Sequence, residues 1–224
     1  MKNNTISALM NFIDNSPSPY HAVKSAVELL KKKNFTELHE EKIWKNLETG
    51  SYYVIRQGGS LIAFNYKKGN NSYRMIGAHT DSPCLKVRPN GSYLKAGQHQ
   101  MVGVEVYGGV ILSSWFDRDL SFAGRVFSRN KKGKLQSNLI DIKEKVAVVP
   151  SLAIHLNREC NQNRTINPQL EMSPLLSLNP KEKLEDLLMD YLPKETSEVI
   201  SFDLSFYDTQ KGSLVGSRGE FLMS

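Results

Sequence analysis

Residues 75–83 read MIGAHTDSP, an apolar run that ends in a histidine and an aspartate two positions apart. On an extended strand, residues two apart point to the same side. His79 and Asp81 would then present an imidazole and a carboxylate together where the strand leaves its sheet. Ligand sites in α/β folds gather at such carboxyl ends of strands. A neutral imidazole is a good zinc ligand, and a neighbouring carboxylate can hold its other ring nitrogen in the tautomer that binds metal. A plainer reading also fits: His79 caps the strand through hydrogen bonds while Asp81 opens a turn at Ser82-Pro83. The tripeptide alone leaves both open, because short motifs often match by chance.

The elements that must position this pair are legible on either side of it. Ile6, Leu9, Met10 and Ile13 recur at helical spacing and predict an amphipathic helix over 4–15. In SPSP (16–19), Ser18 and Pro19 form an N-cap and first-turn pair for a second helix, YHAVKSAVELLKKK. Its inner face is Ala22, Val23, Ala26, Val27 and Leu30. SYYVIRQ (51–57), a Gly58-Gly59-Ser60 turn and LIAFNY (61–66) predict a β-hairpin. SYRMIGAH (72–79) reads as a third strand leading into the pair.

After Pro89 the texture changes to short β-rich runs (MVGVEVYGG, SFAGRVFS, LQSNLIDI, VAVVPSLAIHL) separated by Gly, Asn and Lys turns. Residues 158–178 look irregular. A helix is predicted over 179–192, with Asn179 as cap, Pro180 in the first position, and Leu184, Leu187, Leu188 and Tyr191 inward. VISFDLSFYDT (199–209) alternates as a half-buried strand, and no closing element is predicted after it. The chain therefore divides into a mixed α/β part, 1–89, a β-rich part, 90–200, that interrupts it, and a return segment, 201–224.

Composition narrows the function classes. The chain has 224 residues, 40% of them hydrophobic and 9% aromatic, which places it among folded globular proteins rather than disordered tails or fibres. The net charge of +6 invites a nucleic-acid reading. Yet KKK (31–33) ends a helix, and KKGNN (67–71) and NKKGK (130–134) are turns, so the lysines read as solvated surface and no nucleic-acid partner is predicted. Cys84 and Cys160 form no CxxC pair, which suits a reducing cytoplasm. The sequence offers neither a signal-like apolar stretch nor the roughly 20 apolar residues of a membrane span. His21, His39 and His99 read as ordinary surface, and Trp115–Asp119 as a packing corner with Arg118 between two carboxylates.

Five stretches taken together resemble one family. AHTDSPCLKVRP (78–89), SPSPYHAV (16–23), VEVYGGVILSSWFDRDLSFAGRVF (104–127), VPSLAIHLNR (149–158) and DLSFYDTQ (203–210) are similar, in order, to the aspartyl aminopeptidase family of zinc metallopeptidases, the eighteenth metallopeptidase family. The resemblance implies an α/β fold: a zinc-peptidase-like mixed sheet with helices around a two-zinc centre, interrupted by an inserted β-rich dimerisation domain. It implies removal of N-terminal residues, often acidic, from peptide substrates, and a homo-oligomer of up to twelve subunits. His79 matches the family's first zinc ligand, and Asp81 the active-site carboxylate that orients the metal centre. His155 matches a histidine of the inserted domain, either a zinc ligand or a group near a neighbouring subunit's active site. On pattern alone, His155 reads equally well as a satisfied histidine among Leu152, Ile154 and Leu156. The family's bridging aspartate, its glutamate pair with the general base, a further aspartate and the last histidine lie beyond the equivalent of residue 224. Glu220 matches no base motif. The expectation is the N-terminal half of a zinc aminopeptidase, without activity as this chain alone. Two alternatives stand beside it: a non-catalytic assembly fragment that pairs through its β-domain, and a basic module for acidic ligands or RNA.

Overall fold

Ser18 takes an extended backbone (φ −147°) and its Oγ accepts the His21 N–H, while Pro19 fills a first-turn position whose missing N–H needs no partner. The second helix grows from this cap. A computed structural model describes residues 2–70 and 72–224, in two units: one of residues up to Ser82 joined by Gly212–Ser224, the other of Pro83–Lys211. The chain is mixed α/β, as expected. No helix among the described residues is long and apolar enough to cross a membrane.

The first unit holds α1 (Lys2–Asp14), α2 (Pro19–Lys32), β1 (Thr36–Glu37), β2 (Gly50–Arg56) and β3 (Ser60–Tyr66). Lys31 and Lys32 occupy the last turn of α2, where the helix dipole favours positive charge. β2 and β3 pair antiparallel, Tyr53 opposite Ala63, and β1 lies parallel to β2. The hairpin turns through Gln57 and Gly58 at φ of 50° and 76°, the left-handed pair that matches strand twist. Val23 and Val27 of α2 pack on Tyr53, forming a small core with Leu30, Phe35, Ile55 and Leu61. Ile6 and Leu9 of α1 stay exposed.

Residues 72–79 are not a strand; they are irregular and exposed throughout, Met75 at 93% and Ile76 at 100%. The reason lies in the pattern that predicted them. A continuous apolar run suits a strand covered on both faces and paired along its edges, and no described strand runs beside it.

The second unit contains β4 (Cys84–Lys95), β5 (His99–Tyr107), a 3₁₀ turn (Leu112–Trp115), β6 (Leu120–Asn130), β7 (Leu135–Asp141), α3 (Pro168–Glu171), β8 (Leu175–Ser177), α4 (Leu184–Asp190) and β9 (Thr196–Asp208). Six strands form one antiparallel sheet in the order β7-β6-β9-β4-β5-β8. Leu85, Leu120, Phe122, Leu204 and Phe206 form its sealed core with Leu184 and Leu188 of α4. The Phe122 and Phe206 rings meet edge to face, centroids 5.5 Å apart. Gly124 lets β6 and β9 approach; a methyl there would strike the Asp203 carbonyl.

Several local expectations give way to this packing. Pro89 lies inside β4, at an irregularity between Val87 and Ser92 where the ladder tolerates a missing N–H. The units therefore part at Ser82-Pro83, and β9 stays with the second unit up to Lys211. The helix predicted from Asn179 begins at Leu184: the Asn179 side chain accepts the Lys181 N–H in a local turn, and Asp186 accepts the Lys183 N–H at the true helix start. Tyr191, expected inward, is 37% exposed. The 146–156 run pairs through Val146, Ala147, Val148 and Val149 and stops there, since Pro150 brings no N–H and turns follow. Residues 158–178 include α3 and β8. After β9, β10 (Ser213–Val215) and β11 (Phe221–Met223) close an antiparallel hairpin in the first unit, where Gly212 N–H donates to Asp14 Oδ1 at 2.8 Å.

Candidate metal centre

His79 and Asp81 meet: Nδ1 lies 2.9 Å from Asp81 Oδ1. An ionised carboxylate only accepts, so Nδ1 is the donor in this pair, and in the neutral ring Nε2 is the nitrogen that keeps its lone pair. The His79 side chain is 89% exposed and that of Asp81 29% exposed. Thr80 points the other way, and its Oγ1 donates to the Gly59 carbonyl at 2.8 Å, tying the motif to the β2–β3 turn. Thr80 is a positioning residue that the His79–Asp81 pattern does not single out. Its signal was the alternation that put His79 and Asp81 on one side and left the residue between them facing the other. No strand is present for His79 to cap.

His155 lies in the second unit, exposed in the turn 154–156. Its neighbours Leu152, Ile154 and Leu156 are 62%, 45% and 75% exposed, so they form no buried apolar surround for His155. Among the described residues, no group of three or more His, Cys, Asp or Glu side chains is gathered for a metal ion. The donor chemistry thus suits one zinc ligand and its orienting carboxylate, His79 and Asp81, and does not close a ligand set.

The other candidates have structural partners. His21, expected at the surface, is buried, with Nδ1 2.8 Å from Ser18 Oγ, so the α2 start is packed rather than solvated. His39 is exposed, and His99 half-buried at the start of β5. Arg118 does not sit between its sequence neighbours: it donates to Asp208 at 3.1 Å and to the Ser114 carbonyl at 3.2 Å. Asp119 instead accepts from Lys145, which raises the Lys145 pKa above the usual lysine range. Asp117 accepts the Ser151 N–H at 2.8 Å. Glu220 accepts the Arg218 N–H at 3.0 Å, and this bond holds its carboxyl below the usual glutamate range, as part of a turn.

Comparison with known proteins gives a consistent match. The family model described as aminopeptidase I zinc metalloprotease (M18) matches residues 12–224. A probable M18 family aminopeptidase 2 of Pseudomonas fluorescens strain Pf0-1 is 43% identical over 234 aligned positions, covering 99% of this chain and 54% of the relative. The protein so described in Pseudomonas putida KT2440 is 44% identical, covering 96% and 52%. Among solved structures, a chain of the Ape4 and Nbr1 complex superposes with a TM-score of 0.86 at 34% identity, over 95% of this chain and 45% of that one. Yeast aminopeptidase 1 (Ape1) superposes at 0.79 with 27% identity, over 98% and 51%. The S. cerevesiae mApe1 dodecamer superposes at 0.76 with 27% identity, over 96% and 50%. The chain spans about half the length of the curated relatives it matches.

Proposed function

The chain belongs to the aminopeptidase I (M18) family of zinc metalloproteases, and from that membership we propose that it forms part of a zinc aminopeptidase removing N-terminal residues, acidic ones among them, from peptides. One observation carries the reading beyond membership: the His79–Asp81 pair, 2.9 Å apart, presents a free imidazole nitrogen on an exposed side chain. In this reading, His79 Nε2 is a zinc ligand, and Asp81 holds the ring tautomer and orientation and raises the basicity of the ligand. The chemistry a zinc ion held by His79 would supply is Lewis-acid activation of water and of the scissile carbonyl. Thr80 keeps the pair on the hairpin turn. His155 joins the metal centre as a further ligand or substrate contact, and Pro83–Lys211 carries the contacts of a homo-oligomer, the dimerisation role expected of residues 90–200. Cys84 and Cys160 form no disulfide, which supports a cytoplasmic location.

Because the described residues do not gather a closed ligand set, the 224-residue chain alone is proposed to bind zinc weakly and to lack aminopeptidase activity. The same observation favours the second reading, a non-catalytic fragment that pairs through its β-rich unit. One experiment separates the two. The purified chain is titrated with zinc and assayed on aspartyl, glutamyl and neutral aminoacyl substrates, alone and together with a polypeptide matching the remaining length of its relatives. Turnover only in the mixture, lost with His79→Ala, supports the aminopeptidase reading. No turnover in either, with stable pairing to intact subunits, supports the assembly fragment. Zinc-dependent turnover by the chain alone, abolished by His79→Ala, would overturn the proposed inactivity. In the active mixture, Asp81→Asn is expected to weaken zinc affinity by ~10–100-fold while leaving the fold intact.

A further inference from the structure

Residues 150–163, which carry His155, contain no helix or strand. Their internal backbone hydrogen bonds are local: Leu156 and Asn157 N–H to Ala153 O at 2.8 and 3.2 Å, Cys160 N–H to Asn157 O at 3.3 Å, and Gln162 N–H to Glu159 O at 3.0 Å. Such bonds shape turns and leave the direction of the loop unset. What sets it lies at the loop's base. Asp117 N–H donates to Val149 O at 2.9 Å, and Asp117 Oδ1 accepts the Ser151 N–H at 2.8 Å. At the far end, the Arg164 guanidinium lies 3.9 Å from the centroid of the Phe116 ring, a cation–π contact. One corner, Phe116-Asp117, therefore grips both ends, as in a compact surface loop whose ends lie together.

We infer that Asp117 is a positioning residue for His155, closing the base of the 150–163 loop together with Phe116 and Arg164. The inference rests on the reading of His155 as part of the metal centre. Three features single out Asp117. Its φ is +57°, a left-handed backbone that side-chain-bearing residues rarely adopt and that Asp is among the few to tolerate. Glycine would take that backbone without strain but would leave the Ser151 N–H without its acceptor. Finally, the Ser151 N–H and hydroxyl, aided by the Arg164 charge, hold the Asp117 carboxyl below the usual carboxylate range, so the group is ionised and acting as an acceptor at neutral pH. The Asp117 side chain is not part of the sealed core, so its loss should loosen the loop and spare the sheet.

The test is amide hydrogen exchange on the 224-residue chain, comparing wild type, Asp117→Ala and Asp117→Asn. Loss of one capping hydrogen bond should speed exchange at Ser151 and across 152–163 by about fivefold in Asp117→Ala. Strands β6 and β9 should be unchanged. Asp117→Asn keeps an acceptor oxygen and should stay close to wild type. Unchanged exchange in Asp117→Ala, or an equal rise across β6 and β9, overturns the inference. The link to His155 is read in the active mixture. There the double variant Asp117→Ala/His155→Ala should be no slower than His155→Ala alone, and multiplied losses would show that Asp117 acts elsewhere. If His155→Ala leaves turnover intact, the functional reading of His155 fails, and the exchange experiment alone decides whether Asp117 fixes the loop.

Discussion

Phe122 and Phe206 are sealed in the six-stranded unit, 0% and 1% exposed, whereas Met75 and Ile76 of the other unit stand 93% and 100% exposed. Both pairs belong to segments whose sequence predicts a strand. The difference is what lies against them. In Pro83–Lys211, β6 and β9 pair along most of their length, and α4 lays Leu184 and Leu188 over the sheet, so the apolar face finds a cover within the same unit. In the other unit, one small cluster of Val23, Val27 and Tyr53 forms beneath α2, and the apolar run before His79 has no described strand beside it. Apolar patterning states a demand for burial; the neighbours decide whether it is met.

The sharpest way to break this comparison is to cut the sealed core. Phe122→Ala removes a fully buried ring from an edge-to-face pair and should cost about 3–5 kcal/mol, measured by urea unfolding of the 224-residue chain. A loss below about 1 kcal/mol would mean that the six-stranded core is far looser than its burial implies.

What could be read in advance follows the same division. Ser18 with Pro19, the hairpin through Gln57 and Gly58, and the His79–Asp81 pair are set by residues within a few positions of one another, and local chemistry suffices to place them. Other features depend on distant partners. Pro89 reads as a break but sits at an irregularity in β4, because β5 across the ladder tolerates the missing N–H. Asn179 reads as a helix cap, but its side chain is taken by the Lys181 N–H. Arg118 reads as the partner of its sequence neighbours, yet it reaches Asp208, ninety positions away. The turn that exposes His155 is held by Asp117, which no pattern around His155 announces.

A smaller effect tests whether the first unit holds its own cap. Ser18→Ala removes the side-chain acceptor for the His21 N–H at the start of α2 and should destabilise this unit by about 1 kcal/mol. It also takes away the Oγ that lies 2.8 Å from the buried His21 Nδ1. Thermal unfolding followed at α2 should shift, while Pro83–Lys211 should not; a shift of equal size in both would show that the two units unfold as one.

Acid should act on the base of the 150–163 loop. The folded pKa of Asp117 is lowered, first by the Ser151 N–H, then by the Ser151 hydroxyl, and least by the nearby Arg164 charge. A depressed carboxylate contributes fully above its unfolded pKa of ~3.9, and the contribution is lost as pH falls through the folded value. Loop protection, corrected for the intrinsic pH dependence of exchange, should therefore hold at neutral pH and down to the ordinary carboxylate range. It should fade only below that range, and less so in Asp117→Asn. Fading that begins well above it would assign the effect to another group.

The smallest expected effect probes the exposed side of the comparison. Ile76 is fully exposed, so Ile76→Ser in the 224-residue chain removes no buried contact and should change stability by less than about 0.5 kcal/mol. A fully buried isoleucine is worth about 1.5–3 kcal/mol, so a loss of that size would show that the run before His79 is already covered. The same substitution has a second readout, in the mixture with a polypeptide matching the remaining length of the relatives. If that polypeptide supplies the missing neighbour, Ile76 becomes buried on association, and Ile76→Ser should weaken the complex by about tenfold or more while the isolated chain stays unchanged. Equal affinity for both variants would leave the apolar run exposed in the complex as well. The strand pattern that leads into His79 and Asp81 would then have a cause other than sheet formation.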